Sequence, residues 1–216
     1  MNDIKGIAEY VEWKAIKSAV WLWRAKRHVK VYGLEQVDTN SSALFAIKHT
    51  RSIEDLLIAL YMLPRKTDIF VTERAFNNPT QLMLRNPLAR HLMRASGLVP
   101  IYVALREKPS RLPATDARAF RKFYTTLKSR GWVAYAPEAM HIPNAVGEKI
   151  FPQMIMKAAE LGHKTYLVGI RYADSIEVRI ERYDPRKESP EEVIIDVRRS
   201  FARLSGLEDK LATAPA

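Results

Sequence analysis

The sequence predicts an α/β domain with a mixed, largely parallel sheet flanked by helices. Two observations carry this. Short apolar runs of strand length alternate with stretches whose apolar residues recur every three or four positions, from Val29 almost to the end of the chain. The strand-like runs are rich in Val, Ile, Phe, Tyr and Trp, and two of them end abruptly in charged residues, at Lys48-His49 and at Pro137-Glu138. Loops that carry charge at strand ends are where such sheets place their sites.

In order along the chain, residues 3–31 read as one helix or a broken helical pair, with Ile4, Ile7, Val11, Trp13, Ile16, Val20 and Trp23 on one face. Lys14, Lys17, Arg24, Lys26, Arg27 and Lys30 flank that face, and Trp21 and Leu22 widen it, so it suits a helix lying in a membrane interface. Val29–Tyr32 is a first strand and Ala43–Ile47 a buried one. After Ser52, Leu56, Leu57, Ala59, Leu60 and Leu63 mark a helix that Pro64 closes, with Ser52 as its expected N-cap. Asp68–Thr72 follows as a strand, then a short helix Leu88–Ala95 and a strand Leu98–Leu105. Ala114–Ser129 is an amphipathic helix that Gly131 stops, and Trp132–Ala136 the next strand. A helix Lys149–Leu161, a strand Thr165–Tyr172, an alternating edge strand Glu177–Tyr183 and a helix Pro190–Leu204 complete the series. We divide the chain into an N-terminal amphipathic segment, 1–31, and a single domain, 32–210.

The 216 residues are enough for one well-filled core, and 47% hydrophobic with 27% charged residues is a globular composition. The chain has no cysteine, which removes thiolate catalysis, disulfides and cysteine-ligated zinc. Its net charge of +11 is unevenly placed. Residues 48–130 hold sixteen Lys and Arg against six Asp and Glu, while the segments on either side are close to neutral. Such a field suits an anionic ligand, an anionic membrane or nucleic acid. No apolar run approaches the roughly 20 residues that span a bilayer, and the start of the sequence has no signal-peptide pattern. Gly-x-Ser-x-Gly, P-loop, Gly-x-Gly-x-x-Gly and His-Glu-x-x-His motifs are all missing, so serine-hydrolase, nucleotide-cradle, dinucleotide and zincin chemistries have no support.

The strand-to-helix turn at His49 is the strongest candidate site. A histidine with a carboxylate a few residues on can act as a general base: the carboxylate fixes one imidazole tautomer, and the other nitrogen takes a proton from a hydroxyl. Glu54 and Asp55 both stand in the first turn of the helix that follows. Glu138, just past a strand end in a turn with His141, is a second site-like carboxylate. An ordinary turn histidine, a capping aspartate and a surface glutamate are the plainer alternatives.

Taken together, His49 with Ser52-x-x-Asp55, Phe70-Val71-x-x-Arg74, Gly97-x-x-Pro100-Ile101, Ala136-Pro137-Glu138 and the Val168-Gly169-Ile170 strand resemble the glycerolipid acyltransferase family, over nearly the whole chain. Its best-known members convert lysophosphatidic acid to phosphatidic acid. The resemblance implies that His49 deprotonates the acceptor hydroxyl, which attacks an acyl thioester directly. It implies a lysophospholipid or glycerol phosphate acceptor and an acyl-CoA or acyl-carrier-protein donor, with no cofactor and no metal. It also implies attachment to the cytoplasmic face of an anionic membrane.

Three departures stand out. The family's aspartate follows the histidine by five positions, where this chain has Glu54, so Asp55 or Glu54 takes that place. Val103 replaces an arginine of the second motif, leaving Arg106, Lys108 or Arg111, with Arg74, to meet a phosphate. The family's Pro-Glu-Gly-Thr-Arg is here Pro137-Glu138-Ala139-Met140-His141, which exchanges a phosphate-binding arginine for a histidine without its bidentate fork. Transfer to a lipid acceptor without phosphate, or anionic-lipid binding without catalysis, are the alternatives. Nucleic-acid binding ranks below them, because no aromatic stacking motif is visible. Acceptor identity, acyl length and oligomeric state are not written in the sequence.

Overall fold

The computed structural model describes residues 2–25, 27–48, 50–72, 97–101, 114–138, 145–147, 150–185 and 189–207. In chain order the elements are α1 (Asn2–Ala25), β1 (Val29–Tyr32), a 3-10 turn (Leu34–Gln36), β2 (Ala43–Ile47), α2 (Ser52–Met62), β3 (Thr67–Thr72) and β4 (Leu98–Ile101). They continue as α3 (Ala114–Lys128), β5 (Trp132–Tyr135), α4 (Gln153–Glu160), β6 (Lys164–Tyr172), β7 (Ile176–Tyr183) and α5 (Pro190–Ser205). The strands form one sheet in the order β1-β7-β6-β2-β5-β3-β4, parallel at every pairing except the β6–β7 hairpin. A mixed, largely parallel α/β sheet is therefore what the chain builds.

Helices cover both faces. On one, Ile58, Ala59 and Met62 of α2 and its C-cap residue Leu63 pack with Phe45, Trp132, Tyr166 and the inward residues of β1 and β7. On the other, Phe123 and Leu127 of α3, Ile155 and Ala158 of α4, and Val193, Val197 and Phe201 of α5 pack on Leu44, Ala46, Val133 and Leu167. Strands buried on both faces need to be apolar at every position, which explains why ALFAI and WVAY do not alternate. Phe45 stacks on Tyr166 at 5.2 Å between ring centroids and tilts against Trp132 at 5.1 Å, stitching β6, β2 and β5 across the sheet centre.

The connections set where a site can form. The chain leaves β2 through α2 on one face and passes over β5 to reach β3; it leaves β5 through α4 on the opposite face and passes over β2 to reach β6. Between β2 and β5 the two crossovers depart to opposite sides, opening a crevice beyond the carboxyl ends of those strands. Lys48 and Glu138 stand there.

Several expectations need correction. Of the two readings of the first segment, the single helix is the one formed, but it ends at Ala25 and not at residue 31, with β1 beginning at Val29. Arg51, not Ser52, occupies the N-cap of α2, for Asp55 supplies the capping carboxylate from inside the helix. Glu177–Tyr183 is not an edge: β1 pairs along β7, with Val29 opposite Ile176, and β1 itself lies at the edge. Its alternating pattern arises from one-sided burial. The fourth helix starts at Gln153, not Lys149, because Ile150 is engaged in an antiparallel bridge with Glu138 and Pro152 forms the N-cap. The α3 turn is made by Arg130 at φ 58°, while Gly131 is needed for space, since a Cβ there would lie 2.7 Å from the Thr126 carbonyl oxygen. Leu88–Ala95 and the end of the Leu98–Leu105 strand lie outside the described residues.

α5 starts as its sequence requires. Ser189 accepts from the Glu192 N–H at 3.2 Å, and Glu192 accepts from the Ser189 N–H at 2.7 Å, a complete capping box with Pro190 in the first turn. α1 packs on α2: Trp13 and Val20 are buried, Lys17 Nζ donates to the Leu63 carbonyl at 2.5 Å, and Arg24 covers the Tyr61 ring at 4.8 Å. Its opposite face leaves Tyr10, Val11, Trp21 and Leu22 each more than half exposed. Among the described residues, no helix is long and apolar enough to cross a membrane.

Candidate active site

Asp55 is the hub of the turn between β2 and α2. Its side chain is buried, with Oδ2 accepting the backbone N–H groups of Thr50 and Arg51, both at 2.7 Å. Its own N–H donates to the Arg51 carbonyl at 2.8 Å, the first rung of the helix. The amide of the N-cap residue Arg51 and that of Thr50 in the turn before it are thereby satisfied by a carboxylate at the positive end of the helix dipole. Tyr172, the last residue of β6, donates its hydroxyl to Asp55 Oδ1 at 2.6 Å. The neighbouring carboxylate points elsewhere: Glu54 is partly exposed and pairs with Arg51 at 3.1 Å and Arg27 at 3.4 Å.

A second constellation bridges the ends of β2 and β5. Lys48 Nζ lies 3.1 Å from Glu138 Oε2, and both side chains are fully buried. The Lys48 N–H donates to the Val168 carbonyl at 2.8 Å, continuing the β2–β6 ladder by one residue. Glu138 Oε1 accepts the Gly147 N–H at 2.6 Å, and a Cβ at Gly147 would stand 3.2 Å from that oxygen. A buried lysine and glutamate each carry a desolvation cost that pairing and hydrogen bonding offset. The pair therefore locks the carboxyl ends of two neighbouring strands together at the mouth of the crevice.

Between these two groups sits Thr50. Its hydroxyl is buried and has no hydrogen-bond partner among the described residues. Outside Asp55, the Arg51 guanidinium lies over the Tyr172 ring, 4.3 Å from its centroid, and a cleft opens there beside Arg27 and His28. Burial, and then the Asp55 carboxylate, push the Tyr172 phenol far above its ordinary ionisation range, so it stays a donor.

Of the residues expected from sequence, Asp55, Glu54 and Glu138 fall within the described structure; His49, Arg74, Arg106 and His141 lie outside it. Asp55 and Glu138 come to the same sheet end, on the turns that follow β2 and β5, while Glu54 turns toward the arginines. Sequence reasoning missed Lys48, Tyr172 and Thr50. Lys48 did carry a signal: a lysine closing a strand buried on both faces requires an acid nearby, and Glu138 closes the adjacent strand in the same manner. Tyr172 carried none, since its partner lies 117 positions away. Among the described residues no cluster of histidine and carboxylates could hold a metal ion.

No known family model matches the chain, and no curated protein does. Among solved structures, it is similar to the crystal structure of the 1-acyl-sn-glycerophosphate (LPA) acyltransferase PlsC from Thermotoga maritima, with a TM-score of 0.67 at 18% identity. The match spans 98% of this chain and 84% of that one. The chain therefore has the fold of that acyltransferase, in agreement with the resemblance carried by its motifs.

Proposed function

We propose that this protein is an acyltransferase of the 1-acylglycerol-3-phosphate type, moving a fatty acyl group from a thioester to the hydroxyl of a lysophospholipid or glycerol phosphate at a membrane surface. The observation that carries this is the Asp55-anchored turn at the end of β2, on a fold shared with PlsC. In this reading His49 is the general base and Asp55 its carboxylate partner: Asp55 binds the amide of the residue that directly follows His49, whereas Glu54 is held by two arginines. The acceptor hydroxyl gives its proton to the neutral imidazole as its oxygen attacks the thioester carbonyl. The tetrahedral centre then collapses, the C–S bond breaks, and the departing thiolate recovers the proton from the imidazolium. An ester and a free thiol result, with no acyl-enzyme and no redox change.

Within this reading Glu138 is a positioning group that holds Lys48 and Gly147, and Arg74, Arg106 and His141 meet the acceptor or donor phosphates. The excess of sixteen basic over six acidic residues in 48–130 supports anionic substrates and an anionic surface. The exposed Trp21 and Leu22 of α1, on the same outward side as the exposed Lys14, support docking of that helix in a membrane interface, the cytoplasmic leaflet being the one rich in anionic lipid.

Release of thiol from a long-chain acyl-CoA, measured on the detergent-solubilised protein with a panel of lysolipids, tests the proposal. With no cysteine in the chain, a thiol reagent reads the product alone. Wild type is expected to release thiol only with a particular acceptor, and His49→Ala to lose at least ~100-fold. Release that depends on an acceptor without phosphate would redirect the substrate assignment. Undiminished release by His49→Ala would overturn the mechanism, and no release from either acyl-CoA or acyl-carrier protein would leave a lipid-binding protein on this scaffold.

A further inference from the structure

Tyr172 reaches the candidate site from a strand that neither the turn nor α2 belongs to. β6 runs beside and parallel to β2, with Val168 level with Ile47, so the four residues beyond Val168 carry the chain up to the height of the α2 start. There the Tyr172 hydroxyl meets Asp55 Oδ1 at 2.6 Å while Oδ2 holds the Thr50 and Arg51 amides. The torsion that turns a carboxylate about its last bond is soft, so its plane is set by the donors that meet it. The Tyr172 hydroxyl meets Oδ1 from a different element than the amides on Oδ2, and so helps to fix that plane. The Arg51 guanidinium, 4.3 Å over the ring, ties the phenol to the same turn from outside.

We propose that Tyr172 is a positioning residue for the His49 turn: its hydroxyl fixes the Asp55 carboxylate, and Asp55 in turn holds the Thr50 and Arg51 amides in place. The geometric part of this stands on the contacts themselves, while its catalytic consequence rests on the acyl-transfer reading. A base displaced by about an ångström from its hydroxyl loses roughly 100-fold in rate. The hydroxyl therefore acts on turnover without touching substrate.

The test is Tyr172→Phe, which keeps the ring and its Arg51 contact and removes the hydroxyl alone. Two measurements are made on wild type and variant: kcat and KM for thiol release, and amide hydrogen exchange at Thr50 and Arg51. The variant is expected to lose about 10- to 100-fold in kcat with KM within about twofold. Exchange at the two amides is expected to rise at least about fivefold while the β2 and β5 amides keep wild-type protection, which separates local loosening from a weaker fold. Unchanged exchange at Thr50 and Arg51 overturns the proposal whatever the kinetics. So does a wild-type kcat, or a loss confined to KM, in an active enzyme. If wild type turns over with no acceptor, the acyl-transfer reading falls and exchange alone decides: faster exchange sustains the positioning role, and unchanged exchange ends it.

Discussion

Lys48 and Asp55, seven positions apart, show how burial assigns different work to charged residues in one turn. Asp55 satisfies the backbone amides of the turn residue Thr50 and of the N-cap residue Arg51, so its charge is stabilised by donors that the fold must supply in any case. Lys48 instead needs a full countercharge, and Glu138 provides it across the strand ends. Removing one member of such a pair leaves an uncompensated buried charge. Lys48→Met is therefore expected to lower the unfolding free energy by about 3–5 kcal/mol in urea titrations. The double change Lys48→Met with Glu138→Leu is expected to recover most of that loss. Equal losses in the single and double variants would mean that lysine packing, not charge compensation, is what the site requires.

α1 is the element whose two faces have separate tasks. Trp13, Val20 and Trp23 face the domain, as does Lys17 through its bond to the Leu63 carbonyl, whereas Tyr10, Val11, Trp21 and Leu22 face outward with Lys14. Sequence periodicity showed an amphipathic helix but could not divide the tryptophans between core and surface, because Trp21 and Trp23 are two residues apart on a helix that is apolar around much of its girth. If the outer face docks in a bilayer, changing Trp21 and Leu22 together to Ala should weaken binding to phosphatidylglycerol vesicles at least ~10-fold, as the burial of two large apolar side chains implies. The Tm of the protein should move little. Unaltered vesicle binding would assign membrane attachment to another surface.

At the scale of the whole molecule, sheet and helices were legible because strands buried on both faces leave continuous apolar runs and amphipathic helices leave three- and four-residue spacing. The rank of strands was not legible. β7 alternates as an edge strand would, and only the pairing of β1 along it shows that its exposed positions face solvent across the sheet and not beyond its rim. The site was legible in part for a related reason. A histidine and a carboxylate within one turn are local and can be read from spacing, and so His49, Asp55 and Glu54 stood out together. Which way Asp55 and Glu54 point was not legible, because it depends on Arg27, ahead of β1, and on Tyr172, at the end of β6, which meet them from distant parts of the chain. The likeness to PlsC extends along nearly the whole chain although few residues are shared, as expected when connection order, not side-chain identity, sets the crevice between β2 and β5.

The central claim is that a histidine–aspartate pair in the β2–α2 turn performs acyl transfer, and the most direct measurement of it is kcat for thiol release by Asp55→Asn beside Glu54→Gln. Loss of about 1,000-fold or more in Asp55→Asn, with Glu54→Gln within about threefold of wild type, is the predicted result. The reverse pattern, with Glu54→Gln inactive and Asp55→Asn close to wild type, would contradict it and return Asp55 to a capping role alone.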